Sequence, residues 1–438
     1  MHRRIDYGRT GLEIEIPPGA DVEVVESPRA TPLADPIEAV RAALAHPIGT
    51  PPLSDIARGR RDAVVVISDK TRPVPNGVML PSILETLERA GIARERIEIL
   101  VGTGLHRANT SEELAEMTSP EIVAGYRIRN HAARDRASHR HLGRTSRGTE
   151  IWLDGGYLDA DLKIVTGLIE PHLMAGFSGG RKGVAPGLAG VDMMRTLHGP
   201  AMLEDHLGPG ILEGNPFHEE LLEIARRAGV DLLVNVAVDR QRRLTGVFAG
   251  DLVEAHLAGV RLVEEHVRVD LDAGADIVVT SAGGYPLDAT LYQSIKGLIG
   301  TLNVVKRGGS VILAAEISEG IGSAEFRKLL GELTGNEPFM EKITRPGFFV
   351  IDQWMAQHLC QVLRKSEVTI VSRGLDLAAF PRLPIQRSAS VEEALAGALA
   401  KHSRGARVLV IPEGPYVIGT VRGRKLAIGR AWQQGEAA

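Results

Sequence analysis

The sequence is poor in cysteine, in aromatic residues and in net charge, and each scarcity excludes a class of function. Cys360 is the single cysteine among 438 residues, so neither an intrachain disulfide nor a thiolate metal cluster can form. Aromatic residues make up 4% and the net charge is −4, which argues against base stacking and against general attraction to nucleic acid. Apolar runs stay short of the roughly 18 residues that span a bilayer, and the N-terminus is polar. We therefore expect a soluble, cytoplasmic protein with no nucleic-acid or membrane partner.

What the chain does have is a regular alternation of strand-like and helix-like segments. Its apolar content of 44% is typical of a chain that can bury a large core. Short β-branched runs predict strands at Ala63–Ile67, Ile97–Val101, Leu162–Leu168, Leu232–Val238, Ile277–Thr280, Val311–Ala314, Val368–Val371 and Val408–Ile411. Amphipathic patterns predict helices at Leu80–Gly91, His218–Ala228, Leu252–Val269, Leu291–Val305, Ala324–Leu333, Ile351–Lys365 and Val391–Lys401. This alternation predicts an α/β fold with parallel-type sheets.

The length predicts about two to three domains, and the pattern shows one boundary. The helical pattern over Leu252–Val269 gives way to polar residues, and a new strand begins at Ile277. We predict a first domain over residues 1–265, a linking helix or hinge over 266–280 and a second domain over 281–405. The placement of the tail, residues 406–438, stays open.

Polar side chains follow three strands of the first predicted domain. Asp69 and Arg72 come after the first of these strands, His106 after the second and His172 after the third. The carboxyl ends of parallel strands meet at one edge of a sheet, so we expect these side chains to form a site there. Taken singly, Asp69 could be a helix cap, Arg72 a solvated charge and His106 a structural histidine.

The third strand leads into a glycine-rich turn, 176–183, whose backbone N–H groups could bind an anion at Gly179 and Gly180. The turn also carries Lys182. A comparison with a phosphate-binding P-loop fails, because the glycine-to-lysine spacing is wrong and Gly183 stands where Ser or Thr would bind magnesium. His198 follows without a cluster of other ligands at metal spacing, so it could hold a metal only with help from a cofactor.

The second predicted domain offers a similar arrangement. The turn at 283–286 leads into a helix that begins with Tyr292 and Gln293 and continues to Lys296. A helix N-terminus after a strand is a good place for an anion, and Tyr292 and Lys296 share one face. The alternative is an ordinary amphipathic helix with an exposed lysine. Trp354 begins another helix, in a position more often found in a core.

The remaining histidines receive no functional role. Three lie in an arginine-rich polar stretch and are interpreted as solvated surface: His131, His139 and His141. Others lie in helical or polar surroundings: His206, His256, His266 and His402.

Five motifs follow one another along the chain at Ser68–Pro73, Gly104–Arg107, Glu170–Gly183, Glu213–His218 and Tyr292–Gly297. Each is moderately specific, and their order and spacing fit over residues 10 to 410. Together they resemble the nickel-dependent lactate racemase family, whose members racemise or epimerise 2-hydroxy acids with a nickel-pincer nucleotide.

The resemblance implies two α/β domains with the active site in the cleft between them. It implies a nickel-pincer nucleotide, a pyridinium mononucleotide with two thiocarboxyl arms, attached covalently to Lys182 after its assembly by cofactor-synthesis enzymes. By the same resemblance, His198 would be the protein ligand of nickel, and His106 and His172 would be the paired catalytic histidines. The other residues implied in the site are Arg72, Gln293 and Lys296 at the substrate, with Tyr292, Asp69 and Trp354 beside it.

We therefore expect a racemase or epimerase of lactate or a related, larger 2-hydroxy acid. One histidine would take the hydroxyl proton while a hydride passes to the cofactor, and the transient 2-keto acid would receive the hydride on its opposite face. With a histidine on each side of the substrate, the reaction would be symmetric. The alternatives are a phosphate- or nucleotide-binding transferase that uses the turn at 176–182, and a non-catalytic two-domain protein that binds a hydroxy acid.

Overall fold

The computed structural model describes residues 1–17, 20–204, 206–333, 335–378, 380–402 and 405–423, so the end of the predicted tail, 424–438, lies outside the described residues. The strands are β1 (His2–Ile5), β2 (Leu12–Glu15), β3 (Asp21–Val24), β4 (Ala63–Ser68), β5 (Ile97–Gly102), β6 (Arg127–Asn130), β7 (His139–Arg144), β8 (Glu150–Asp154), β9 (Leu162–Leu168), β10 (Pro171–His172), β11 (Gly176–Phe177), β12 (Leu232–Val238), β13 (Leu244–Gly250), β14 (Arg268–Leu271), β15 (Ala275–Ser281), β16 (Val305–Ala314), β17 (Ser366–Val371), β18 (Ile385–Ser388), β19 (Arg407–Ile411) and β20 (Ile418–Val421).

The helices connect these strands, and no helix of the described ranges is both long and apolar enough to cross a membrane. They are α1 (Pro36–Ala45), α2 (Leu53–Ala57), α3 (Asn76–Arg89), α4 (Ser111–Met117), α5 (Pro120–Gly125), α6 (Gly155–Asp159), α7 (Val191–Leu197), α8 (Pro200–Leu203), α9 (Pro216–Ala228), α10 (Glu254–Val267), α11 (Leu291–Ile299), α12 (Ala324–Gly331), α13 (Asn336–Ile343), α14 (Gln353–Lys365) and α15 (Val391–Lys401). The predicted helix over 291–305 is shorter than expected, because turns occupy 300–304 and β16 begins at Val305.

Two six-stranded sheets organise the molecule. The first has the order β13-β12-β9-β4-β5-β6, and its neighbours run parallel except for the pair β12 and β13. The second has the order β18-β17-β16-β15-β19-β3, and all its neighbours run parallel. Helices cover both sheets, which is why central strands such as β4 are apolar and buried over most of their length. The predicted α/β fold with mostly parallel sheets is confirmed.

The first three strands of the chain, β1 to β3, belong with the second sheet rather than the first. Strand β3 pairs with β19 along the edge of the second sheet. The β1–β2 hairpin places Ile5 and Ile14 in an apolar cluster with Ile277 and Val408 of that sheet. The domain over residues 1–265 stays a prediction, and strands β1, β2 and β3 find their partners in the second sheet more than 250 residues away in the chain.

The segment predicted as a linking helix, 266–280, is divided among three elements. Helix α10 ends at Val267, β14 pairs in parallel with β20, and β15 then enters the second sheet. The described part of the tail, 406–423, thus lies with the second sheet through β19 and with β14 through β20. The amphipathic pattern predicted that the helix continues to Val269. Instead, the backbone N–H and C=O groups of β14 form hydrogen bonds with β20.

Candidate active site

The carboxyl ends of three neighbouring strands build one wall of a cleft. Strands β9, β4 and β5 lie side by side and run parallel, so the loops that follow them meet at one edge of the first sheet. The opposite wall comes from the start of α11 and the start of α14 in the second half of the chain. The predicted site residues that line this cleft are Asp69, Arg72, His106, His172, Gly179, Lys182, His198, Tyr292, Gln293, Lys296 and Trp354.

Asp69 positions His106. The carboxylate is buried, and its Oδ2 lies 2.6 Å from Nδ1 of His106, while Oδ1 accepts from the hydroxyl and the backbone N–H of Thr71. Burial opposes ionisation, but these hydrogen bonds outweigh it and lower the pKa of Asp69. An ionised carboxylate can only accept, so Nδ1 of His106 carries its proton and Nε2 has a free lone pair.

His172 is held in a different way. Its Nδ1 accepts hydrogen bonds from the backbone N–H groups of Met174 and Ala175, each at 3.1 Å, in the turn that joins β10 to β11. A nitrogen that accepts two N–H groups carries no proton, so the neutral ring has its proton on Nε2. The Nδ1 atoms of His106 and His172 therefore have different partners, a carboxylate and two backbone N–H groups.

Two cations enter the cleft from opposite halves of the chain. Nη1 of Arg72 forms an ion pair with Oε1 of Glu170 at 2.6 Å. Lys296 lies on α11, where burial, with a contribution from Arg72, lowers its pKa to about 7. Glu170 belongs to the quoted motif but had no predicted role. Its partner could not be read from the sequence, because the ion pair joins residues 98 positions apart.

The glycine-rich turn is used differently from the prediction. Gly179 lines the cleft with φ +73°, but a side chain there would meet Oδ1 of Asn235 rather than empty space. Gly180 does not line the cleft, and its N–H donates to Asn235 at 2.7 Å. The expected anion-binding N–H of Gly180 is thus already satisfied by the protein. Both glycines serve the left-handed backbone and close packing.

Asn235 and Arg181 form hydrogen bonds with the backbone of this turn, and the sequence analysis assigned a role to neither. Asn235 is fully buried within the otherwise apolar strand β12. A buried amide in such a strand requires a partner, and that signal could have identified it. Arg181 is also buried, and it donates to the carbonyl oxygens of Ala175 and Phe177 and contacts Nε2 of His256 at 3.1 Å. His256 therefore has a structural contact that its helical surroundings did not indicate.

The surroundings of Lys182 and His198 disfavour the charged forms of both side chains. Burial, with help from Arg72 and Arg181, lowers the pKa of Lys182 well below its usual range. Burial also lowers the pKa of His198 to about 3. Nδ1 of His198 is buried without a hydrogen-bond partner, and its ring lies 4.6 Å from that of Trp354. Lys182 and His198 thus line one cleft whose surroundings disfavour positive charge on either side chain.

The second half of the chain supplies a tied aromatic pair and an amide. Nε1 of Trp354 donates to the hydroxyl of Tyr292 at 3.0 Å, which fixes both side chains. Thr290 caps α11 by accepting from the N–H of Gln293. Oε1 of Gln293 is buried without a partner, so the amide has an acceptor to offer a ligand. Trp354 lines the cleft as well as packing in the core.

Two histidines predicted at the surface are buried instead. His131 is 4% exposed and His139 is 7% exposed, with their rings 5.1 Å apart. His131 contacts Asp154, which also forms an ion pair with Arg129. The prediction was wrong because the two rings pack beside the buried Asp154, although most of the neighbouring arginines are exposed. His141 has a side chain that is 41% exposed, as expected.

Comparison with known proteins then decides the family. The family model of the lactate racemase N-terminal domain matches residues 7–208, and that of the C-terminal domain matches residues 271–419. Lactate racemase of Thermoanaerobacterium thermosaccharolyticum is 32% identical over 94% of this chain and 98% of its own. The chain belongs to the lactate racemase family. The family member from Lactiplantibacillus plantarum is 35% identical over 87% of this chain and 90% of its own.

A solved structure agrees with the assignment. The lactate racemase apoprotein of T. thermosaccharolyticum superposes with a TM-score of 0.90, covering 96% of this chain and all of that one. As a member of the lactate racemase family, the chain is an isomerase of the racemase type. The non-catalytic binding protein and the transferase that the sequence left open are therefore set aside.

Proposed function

We propose that this chain racemises lactate or a related, larger 2-hydroxy acid by hydride transfer, with a nickel-pincer nucleotide attached to Lys182. The observation that carries the proposal is the meeting in one cleft of two histidines, two cations, a lysine with a lowered pKa and a third histidine with an unpaired ring nitrogen. The names of the relatives make lactate the first substrate to test.

The residues present fit the cofactor that the family implies. Lys182 would attach it, because acylation requires the uncharged amine and the surroundings of Lys182 lower its pKa. His198 would bind nickel, since a neutral imidazole with a free nitrogen suits that metal. No cluster of three candidate protein ligands occurs in the described part of the chain, so the cofactor would supply the remaining ligands. When bound, it would accept a hydride from the substrate carbon and return it.

Arg72 and Lys296 would bind the substrate carboxylate. Two cations directed at one anion form charge-assisted hydrogen bonds, and guanidinium matches the plane of a carboxylate. Lys296 has a pKa of about 7, and a bound carboxylate would favour its charged form. Gln293 would complete the polar contacts with its unpaired amide oxygen.

His106 and His172 would act on the hydroxyl group of the substrate. Nε2 of His106 has a free lone pair because Asp69 engages Nδ1, so His106 can take the hydroxyl proton as the carbon loses its hydride. A general base of this kind contributes roughly 10²–10⁴-fold to the rate. Tyr292 and Trp354 would shape the wall against which the substrate turns.

The first test is the intact mass and nickel content of the chain produced together with the cofactor-synthesis enzymes. We expect added mass on the peptide that carries Lys182, together with bound nickel. Lys182→Ala should remove the added mass, and the control Lys70→Ala should keep it, because Lys70 pairs with Glu113 outside the cleft. A normal adduct in Lys182→Ala, or an unmodified chain in a host that loads the T. thermosaccharolyticum relative, would contradict the proposed cofactor.

The second test is conversion of single enantiomers by the loaded chain. We expect loss of optical activity with lactate or with a larger 2-hydroxy acid from a graded panel. A loaded chain that converts none of them would contradict the proposed substrate class while leaving the cofactor assignment standing.

A further inference from the structure

The segment that follows His198 is bound by a helix from the other half of the chain. His198 directly follows α7, and α8 begins two residues later. Nε2 of Gln361, on α14, donates to the carbonyl oxygen of Leu203 at 2.8 Å. Nε2 of Gln357, on the same helix, donates to the carbonyl oxygen of Pro200 at 3.2 Å. Helix α14 thus holds the backbone of α8 at both of its ends.

Glu204 extends this contact beyond the end of α8. Its Oε1 accepts from Nε2 of Gln357 at 2.9 Å and from Nη2 of Arg364 at 3.1 Å, and its Oε2 accepts from Nη1 of Arg364 at 3.2 Å. A guanidinium that binds both oxygens of a carboxylate fixes the orientation of both side chains. Although burial opposes ionisation, these contacts lower the pKa of Glu204.

The amide of Gln361 has one allowed orientation. Its nitrogen must face the carbonyl oxygen of Leu203, so its oxygen faces Nδ1 of His358 at 2.8 Å and accepts the proton of that ring. Burial lowers the pKa of His358 to about 4, which disfavours the charged ring. Gln357, Gln361 and His358 are all buried, so water does not compete for these hydrogen bonds.

The same helix also reaches the cleft beside His198. The ring of Trp354, in the first turn of α14, lies 4.6 Å from the ring of His198. Nδ1 of His198 is buried without a partner, and no hydrogen bond of this ring occurs among the described residues. The direction of the imidazole therefore depends on the packing around it and on the backbone that follows it, and α14 contacts both.

We propose that the polar face of α14 positions His198 for nickel by holding the segment 199–204. The residues of this face are Gln357, Gln361 and Arg364, and Glu204 is their side-chain partner. The inference rests on the proposed function. Residues that orient a metal-binding histidine contribute to metal affinity without touching the metal. Here the support comes from the opposite half of the chain, so the candidate nickel ligand is tied to the second wall of the cleft.

The test is the rate at which the loaded chain loses nickel to a chelator. Gln361→Met keeps the length of the side chain but removes both its donor and its acceptor, so we expect roughly 10–100-fold faster release of nickel. Glu204→Ala should also release nickel faster. Glu204→Gln should retain nickel longer than Glu204→Ala, because its amide oxygen can still accept from Gln357 and Arg364.

Leu359→Ala is the control for loss of stability alone. Leu359 is fully buried on α14, so its truncation leaves a cavity and lowers the free energy of unfolding without removing a hydrogen bond. We expect this variant to keep its nickel while urea unfolding shows that it is destabilised. If Gln361→Met and Glu204→Ala lose nickel no faster than Leu359→Ala, helix α14 supports only the fold and the inference is overturned.

A second measurement uses the chain without its cofactor and therefore does not depend on the proposed function. If the wild-type chain takes up neither cofactor nor nickel, the proposed function fails, and nitrogen NMR of the chain labelled at histidine still reports on the ring of His198. We expect its signals, assigned with His198→Gln, to shift in Gln361→Met and in Glu204→Ala but not in Leu359→Ala. Unchanged His198 signals in both folded variants would overturn the inference.

Discussion

At the scale of single residues, some polar groups of the site have a protein partner on one edge and leave the other edge free for a ligand. Arg72 shows this arrangement. Glu170 engages Nη1, and no other side-chain partner of Arg72 occurs among the described residues. The guanidinium presents its several donors in one rigid plane, so the remaining edge is available for a carboxylate.

The variant Arg72→Lys tests this contact. Lysine keeps the charge but loses the planar pair of donors, so we expect KM for the 2-hydroxy acid to rise by about tenfold or more, as a charged hydrogen bond contributes about 1.5–3 kcal/mol. The matched control is Arg107→Lys, because Arg107 pairs with Glu113 and does not line the cleft. An unchanged KM in Arg72→Lys would contradict the assigned contact.

The residues at strand ends could be predicted from the sequence because parallel strands share an edge, and that geometry needs no knowledge of individual contacts. The supporting residues could not be predicted in this way. The partnership of Gly180 with Asn235 depends on β9 lying beside β12, and that of Arg72 with Glu170 depends on β4 lying beside β9. Which strands become neighbours is decided by the packing of the whole sheet, and no short segment of the sequence contains that information.

At the scale of elements, the carboxylate of Asp154 holds together β6, the start of α6 and, through His131, the backbone at Ala189. Asp154 is fully buried at the start of α6, where it caps the N–H of Tyr157. It also accepts two hydrogen bonds from Arg129 and contacts His131, whose Nε2 reaches the carbonyl oxygen of Ala189. Although burial opposes ionisation, these contacts lower the pKa of Asp154 far below its usual range.

Asp154→Asn tests the charge at this position, because asparagine is as good a helix cap as aspartate. Removing one partner of a buried ion pair costs about 3–5 kcal/mol, so we expect a loss of that order in the free energy of unfolding at neutral pH. A lowered folded-state pKa stabilises the protein above the unfolded pKa of about 3.9, and the difference between variant and wild type should shrink below about pH 4.

Urea unfolding at several pH values measures this difference, with Asp159→Asn as the control. Asp159 lies on the same helix but is half exposed where it pairs with Arg140, so its loss should cost at most about 1 kcal/mol. Equal stabilities of the two variants at neutral pH would contradict the role of the buried charge.

Element types were predictable where the apolar pattern was strong, and their ends were less so. The eight predicted strands all occur, because β-branched runs of that length suit strands buried on both faces. The helix that begins at Leu291 ends at Ile299 rather than continuing to Val305, since Gly300 and Thr301 begin a series of turns that the apolar spacing conceals.

At the scale of the whole molecule, strands that lie far apart in the described chain share one sheet. Strand β3 pairs with β19, which joins residues 21–24 to residues 407–410. No local pattern reveals such a pairing, because the two strands are separated by the entire first sheet and most of the second. The first half is therefore an insertion between β3 and β15, and the second half is complete only with the N-terminal segment.

This arrangement predicts where a defect near the N-terminus will act. Ile14 on β2 is 2% exposed and packs with Ile277 and Val408, so Ile14→Ala should cost about 2–5 kcal/mol. The control Ile37→Ala, at a position 50% exposed on α1, should change stability by no more than about 0.5 kcal/mol.

Hydrogen exchange of backbone amides locates the effect. The amides of β15 and β19 should exchange faster in Ile14→Ala, while those of β4 and β5 should keep their protection, because local opening follows the contacts that are lost. Faster exchange confined to β4 and β5 would assign the N-terminal segment to the first sheet and contradict the topology. The position of the defect, more than its size, therefore tests whether the second half of the molecule depends on the first residues of the chain.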